Sequence, residues 1–121
     1  MSWQSFKRLL PALIYMVFLL AIALLPLGPP GGNDKMAHAL SYFILGLLLF
    51  WWASWQFAQK PAYLVALLVV GIGAAHGALV ELLQGQIPWR TADLTDWQAD
   101  IFGLLISLLA GLPLLGRQGK G

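Results

Sequence analysis

The residues of this sequence that can do chemistry lie in two short polar segments between long apolar stretches. Asp34, Lys35 and His38 form the first segment, and Tyr42 follows one helical turn later. The second segment runs from Glu81 to the start of the last apolar stretch. Carboxylates and histidine can transfer protons, and lysine and arginine can bind an anionic group. We predict one ligand-binding polar site, whose members are Asp34, Lys35, His38, Tyr42, Glu81, Gln84, Arg90, Asp93, Asp96 and Asp100.

These segments do not assign a catalytic reaction. Asp34, His38 and Ser41 fall on one predicted helix, where they cannot easily reach the geometry of a catalytic triad. The sequence has no cysteine, which excludes a thiolate nucleophile or ligand. The carboxylates with His38 are a weak signal for Mg²⁺ or Ca²⁺, which prefer oxygen ligands. Because no compact ligand spacing supports such a site, we predict no metal ligands and leave catalytic residues and cofactors unassigned.

The composition decides which class of protein positions these residues. The chain has 121 residues, of which 60% are hydrophobic and 10% are charged. Soluble domains average about 45–50% apolar and about 25% charged residues, and a small domain needs more polar surface than average. An ordinary soluble domain, a disordered chain and a nucleic-acid-binding protein are therefore excluded. We predict a polytopic membrane protein with a single domain over residues 1–121.

Four apolar stretches are long enough to cross a bilayer, which takes about 20 residues per helix. They predict an all-α, compact bundle of four transmembrane helices, at about 9–27, 36–57, 62–84 and 97–115. The first stretch follows Lys7 and Arg8 and has an alternative interpretation as a cleaved signal peptide. Its length and the three stretches that follow favour a membrane span.

The basic residues predict the orientation of the four spans. Five of them fall on the side that holds both termini, and two fall on the other side. The five are Lys7, Arg8, Lys60, Arg117 and Lys120, and the two are Lys35 and Arg90. The positive-inside rule then places both termini in the cytoplasm and the polar segments outside. Trp51, Trp52 and Trp55 fit an aromatic belt at the inner leaflet.

Helical spacing places the polar and small residues in three stripes. The first has Asp34, His38, Ser41 and Tyr42, the second has Gly73, Gly77, Glu81 and Gln84, and the third has Asp96, Asp100, Gly103, Ser107 and Gly111. A carboxylate that faces lipid is costly, and glycine lets helices approach closely. We therefore expect the stripes to face one another. We also expect His76 to bond a neighbouring helix, and Asp93 or Asp96 to cap the last span, with Asp96 the better fit.

The polar segments resemble the motifs of VanZ-like membrane proteins over about residues 33–107. The matching residues are Asp34-Lys35-Met36-Ala37-His38, Tyr42 and Gly46, and then Glu81 with Gln84, Pro88 with Arg90, Asp93 with Asp96, and Asp100 with Gly103. Asp100 departs from the family pattern, in which asparagine is more usual. The resemblance implies a bacterial protein of the plasma (inner) membrane. The family's namesake is associated with low-level resistance to teicoplanin, and most members have no established biochemical activity.

These observations lead to one expected function and two alternatives. We expect the outer polar site to recognise or act on an outer-leaflet lipid or cell-envelope glycolipid headgroup, and the resemblance adds a link to glycopeptide susceptibility. The first alternative is a non-catalytic scaffold or partner subunit with a structural ion-pair network. An ion transporter is weaker, because only His76 lies well inside the bilayer. The expected partners are membrane lipids and a second copy of the chain, and no nucleic acid.

Overall fold

The four apolar stretches form four α-helices in the computed structural model, which describes residues 1–26, 34–89 and 91–118, with the backbone alone at 116–118. The helices are α1 (Trp3–Leu24), α2 (Lys35–Gln56), α3 (Ala62–Gln84) and α4 (Leu94–Gln118). No strand occurs in this part of the chain. Each helix is long and apolar enough to cross a membrane. The predicted all-α bundle of four membrane-spanning helices is therefore confirmed.

The first helix begins six residues before the predicted start at residue 9. The Ser2 hydroxyl accepts a hydrogen bond from the Ser5 N–H at 3.0 Å and so caps the helix. Lys7 and Arg8 consequently lie on the helix, where the Arg8 guanidinium stacks 4.1 Å from the centre of the Trp55 ring. The predicted start was too late because it was set by the apolar stretch alone, and Lys7 and Arg8 lie just before that stretch.

The last helix begins at Leu94 rather than at the predicted residue 97, and the preference for Asp96 over Asp93 as its cap is wrong. Asp93 occupies that position, and its Oδ1 accepts hydrogen bonds from the Thr95 N–H at 2.9 Å and the Thr95 hydroxyl at 2.6 Å. Asp96 lies in the first turn of the helix, where a carboxylate interacts favourably with the helix dipole.

The bundle packs around α2. Its buried centre includes Leu45, Leu49, Phe50, Val69 and Leu104. By contrast, the buried residues of α1 are Ser5 and Ala12, and much of its apolar surface is exposed, as expected of a helix that contacts lipid. Of the three tryptophans near the end of α2, Trp51 and Trp55 are exposed, whereas Trp52 is buried and donates a hydrogen bond to the Ser5 hydroxyl at 3.3 Å.

The contact between α2 and α4 depends on three small residues of α4. A Cβ atom added to Gly103 would collide with the backbone of α2, 2.9 Å from the Phe43 nitrogen and closer still to the Ala39 carbonyl. Gly46 of α2 in turn lies against the Ser107 side chain, and Gly111 lies against the Phe50 ring. The sequence position rises along both helices from contact to contact. Hence α2 and α4 run parallel, as helices separated by one intervening span must.

Candidate functional site

Seven of the ten predicted site residues meet at one end of the bundle, where α2 and α4 begin and α3 ends. We call this group the ionic cluster, and its members are Asp34, Lys35, His38, Glu81, Asp93, Asp96 and Asp100. Tyr42 and Gln84 lie beside it. Arg90 falls outside the residues that the structure describes. The two polar segments of the sequence are thus brought together by three helices.

Lys35 links the start of α2 to the start of α4. Its Nζ lies 3.2 Å from Asp93 Oδ2 and forms a second ion pair with Asp96. The Thr95 hydroxyl and N–H, together with the Lys35 ammonium, lower the pKa of Asp93 to about 2. Both Lys35 and Asp93 are partly exposed, with 39% and 43% of their side chains accessible. This outer part of the cluster is therefore open to solvent screening.

His38 lies further in and is surrounded by carboxylates. Its Nδ1 is 2.8 Å from Asp100 Oδ1, and its Nε2 is 3.2 Å from Asp34 Oδ2 and 3.6 Å from Asp96 Oδ2. Asp34 is half exposed, whereas only 1% of the Asp100 side chain is accessible. Gly77 makes room for Asp100, because a Cβ atom there would lie 2.7 Å from Asp100 Oδ2.

Glu81 is the acidic residue of α3, and its two carboxylate oxygens have different surroundings. Its Oε2 accepts a hydrogen bond from the Asp93 N–H at 2.9 Å. Its Oε1 is buried and has no hydrogen-bond partner within the described part of the chain. The residue is only 7% exposed. Buried polar atoms are normally paired, so an unpaired carboxylate oxygen needs a physical explanation.

A cavity of about 170 Å³ lies next to the cluster, between α1, α2 and α3. Its polar lining is Asp34, His38, Ser41, Tyr42 and Gln84, and its apolar lining is Leu19, Ile22, Ala23, Ala37 and Val80. Tyr42 and Gln84 were predicted in one site with the charged residues. The structure places them in the wall of this cavity together with Asp34 and His38 of the cluster. The Gln84 amide there donates a hydrogen bond to the Ala23 carbonyl at 3.0 Å.

His76 extends the polar contacts towards the middle of the bundle, as its position on α3 predicted. Its Nδ1 lies 2.9 Å from the Tyr42 hydroxyl, and its Nε2 lies 2.9 Å from the Met16 carbonyl of α1. The prediction that it bonds a neighbouring helix is confirmed. Tyr15 was not predicted to take part, yet its hydroxyl donates to the Ser41 carbonyl at 2.9 Å. A tyrosine within an apolar run was the available signal.

Two sets of side chains in the cluster have the arrangement of metal ligands. One is His38 with Glu81 and Asp100, and the other is His38 with Asp34 and Asp96. Within each set, ligand atoms lie within 4.8 Å of one another. The sequence showed no compact ligand spacing because the members of the first set belong to three different helices.

Comparisons with known proteins give a distant relative. The chain is 30% identical over 102 residues to the uncharacterized protein C11E3.10 of Schizosaccharomyces pombe, a match that covers 82% of this chain and 60% of the relative. The chain thus spans about three-fifths of that protein's length. No family model matches the sequence. No solved structure matches it either.

These comparisons overturn the resemblance on which the sequence interpretation drew. The assignment to the VanZ-like family is wrong, because no family model supports it and the relative found is a eukaryotic protein of no described function. The implied link to teicoplanin falls with it. The basis for a functional proposal is therefore the geometry of the polar residues and of the helices that position them.

Proposed function

We propose that this multi-pass membrane protein binds the polar headgroup of a lipid in the cavity between α1, α2 and α3. The observation that carries the proposal is the mixed lining of that cavity. Leu19, Ile22 and Val80 offer contacts for an acyl chain, whereas Ser41 and Tyr42 offer hydroxyl groups at the same site. A small-molecule site typically combines an apolar wall with a few placed polar groups in this way.

The polar lining favours a headgroup that donates hydrogen bonds. Asp34 supplies carboxylate oxygens, and Ser41 and Tyr42 supply hydroxyl oxygens. A sugar hydroxyl or a primary amine fits these acceptors, so we propose a glycolipid or an amine-bearing phospholipid as the ligand.

We further propose that the ionic cluster faces the non-cytoplasmic side of the membrane that the protein spans. The support for this orientation is the excess of basic residues on the opposite side, five against two. The loop at Gly85 then lies outside and the loop at Gln59 lies in the cytoplasm. Reporter fusions at these two positions test the orientation, and a cytoplasmic signal from the fusion at Gly85 contradicts it.

Two alanines of α1 provide a matched test of lipid binding. Ala23 lines the cavity and Ala21 is exposed on the same helix. Ala23→Leu fills the cavity, whereas Ala21→Leu adds the same bulk outside it. Native mass spectrometry of the purified chain should show a co-purified lipid on the wild type and on the Ala21 variant. The Ala23 variant should bind the lipid about tenfold more weakly or less well still, and a tenfold change corresponds to about 1.4 kcal/mol of binding free energy. Equal lipid on both variants contradicts the proposal.

One observation favours a structural role for the cluster as a second candidate function. Lys35, His38 and Glu81 each connect to α4 or to the residue before it. In this alternative the chain is a scaffold or partner subunit, and the cluster joins three helix ends. Combined alanine substitution of Glu81 and Asp96 separates the two functions. Loss of the folded bundle supports the structural role. A protein that stays folded and keeps its co-purified lipid supports headgroup binding, because neither residue lines the cavity.

A further inference from the structure

We propose that His38, Glu81 and Asp100 form a binding site for a divalent transition-metal cation such as Mn²⁺ or Zn²⁺. The three side chains come from α2, α3 and α4, so the ion would hold three helices together at the inner part of the ionic cluster. This site does not depend on the proposed lipid, because its ligands are supplied by the chain and its test uses the metal alone.

The first support is the distance between the ligand atoms. One atom each of His38, Glu81 and Asp100 lies within 4.8 Å of the others. Zn²⁺ holds nitrogen and carboxylate ligands at about 2.0–2.2 Å in a tetrahedral arrangement, so two ligand atoms on one ion lie about 3.3–3.6 Å apart. Side-chain rotations that bring the three atoms together by about 1 Å therefore place them in a common coordination sphere. Glu81 and Asp100 are both buried, which keeps them in place.

The second and independent support is the unpaired oxygen of Glu81. Its Oε1 lacks a hydrogen-bond partner among the described residues, and water does not readily reach it because the residue is only 7% exposed. A bound cation supplies the missing partner. The other oxygen, Oε2, accepts the Asp93 N–H at 2.9 Å. A hydrogen bond on the second oxygen of a metal-ligating carboxylate orients it, which is a common arrangement around metal sites.

His38 can take part because its two ring nitrogens face different acids. Nδ1 lies 2.8 Å from Asp100 Oδ1, a separation similar to that of two neighbouring ligands on one ion. With Nδ1 bound to the metal, Nε2 carries the proton and donates to Asp34 Oδ2, which is 3.2 Å away. A histidine that ligates through one nitrogen and donates to a carboxylate through the other is the usual second-shell pattern.

The same geometry favours this inner set over the outer set, which is His38 with Asp34 and Asp96. Asp96 of the outer set already pairs with Lys35, and 48% of the Asp34 side chain is exposed. The inner set is the one that contains the unpaired oxygen. Its donors are one imidazole nitrogen and two carboxylates. Such a mixed set suits Mn²⁺, Fe²⁺ or Zn²⁺ better than Mg²⁺ or Ca²⁺, which take oxygen ligands.

The test titrates the purified full chain in detergent, stripped with a chelator, with Mn²⁺ alone. Electron paramagnetic resonance should show one bound Mn²⁺ per chain, and pulsed measurements should show coupling to an imidazole nitrogen. Wild-type protein that binds no Mn²⁺, or that binds Mn²⁺ without nitrogen coupling, overturns the proposal. This result needs no variant and so does not depend on whether a substituted protein folds.

Three variants then locate the ion. Glu81→Gln and Asp100→Asn should each weaken Mn²⁺ binding by about tenfold or more, because each replaces a charged ligand. Asp96→Asn is the matched control, since Asp96 belongs to the outer set alone, and it should keep binding within about threefold. Loss of binding in the Asp96 variant, with retention in the folded Glu81 variant, assigns the ion to the outer set and overturns the inner one. Circular dichroism verifies that each variant is helical.

Discussion

The contact between α2 and α4 has two stretches that are held together by different forces. At the end of the bundle that holds the ionic cluster, Lys35 pairs with Asp96 and His38 bonds to Asp100. Further along the same helices, Gly103 lies directly against the α2 backbone. We refer to these as the ionic stretch and the glycine stretch. One pair of helices therefore uses polar side chains at one end of its contact and close backbone approach further along.

The difference shows where the bundle can adapt. Side chains of the ionic stretch can rotate, and its outer members are partly exposed, so water and salt reduce the effect of each pair. The glycine stretch has no such freedom, since its neighbour at Gly103 is main chain. Without a hydrophobic effect between helices in lipid, close packing is a main source of their association. Substitutions should therefore destabilise the glycine stretch more than the outer ionic stretch.

The largest effect is expected for Gly103→Ala. The new Cβ atom would meet the Ala39 carbonyl and lie 2.9 Å from the Phe43 nitrogen, so the helices must separate. Overpacking of this kind costs typically about 1–3 kcal/mol and more where the backbone cannot move. We expect the free energy of unfolding to fall by about 3 kcal/mol. Reversible unfolding in detergent, followed by circular dichroism, measures this change.

Gly71→Ala is the matched control for this change. Gly71 is an exposed residue of α3, and nothing lies within 4 Å of an added Cβ atom. Replacing a helical glycine with alanine should stabilise the protein by about 0.5–1 kcal/mol there. A similar change in stability for both variants would show that helix propensity, and not the α2–α4 approach, determines the result.

A smaller effect, which a second substitution can reverse, is expected at Gly46. An added Cβ atom would collide with the Ser107 side chain rather than with backbone. Gly46→Ala should therefore destabilise the bundle by about 1–3 kcal/mol. Adding Ser107→Gly removes the colliding atoms and should recover about 1 kcal/mol of that loss as a coupling energy in a double-mutant cycle. If the effects of the two substitutions are strictly additive, Gly46 and Ser107 do not contact each other, and α2 and α4 meet at other residues.

The sequence predicted which residues face inward but not which residues they meet. The stripe of Asp100, Gly103 and Ser107 is buried as expected, because a carboxylate and small residues on one helical face predict a packed face. Spacing cannot show that Gly103 contacts Ala39, since that depends on the relative depth of two helices. Likewise, the compact ligand set of His38 with Glu81 is invisible in a linear chain.

The smallest effect is expected in the outermost part of the ionic stretch, at Asp93. Its pKa is lowered to about 2 by the Thr95 hydroxyl and N–H and by Lys35. A carboxyl whose pKa is lower in the folded state stabilises the fold above its unfolded pKa, about 4, and that contribution disappears as the pH falls towards 2. The melting temperatures of wild type and Asp93→Asn should therefore differ at pH 5 and converge between about pH 4 and 2.

The Thr95 hydroxyl is the strongest cause of this low pKa, so Thr95→Val sharpens the test. Carbon-detected NMR of the Asp93 carboxyl should give a titration midpoint near 2 in wild type and a higher midpoint in the valine variant. Because Lys35 and Asp93 are partly exposed, added salt should raise the midpoint as well. A midpoint that stays unchanged in the Thr95 variant but rises strongly with salt would assign the low pKa to Lys35. The outermost part of the ionic stretch would then depend on the ion pair with Lys35 rather than on the turn that begins α4.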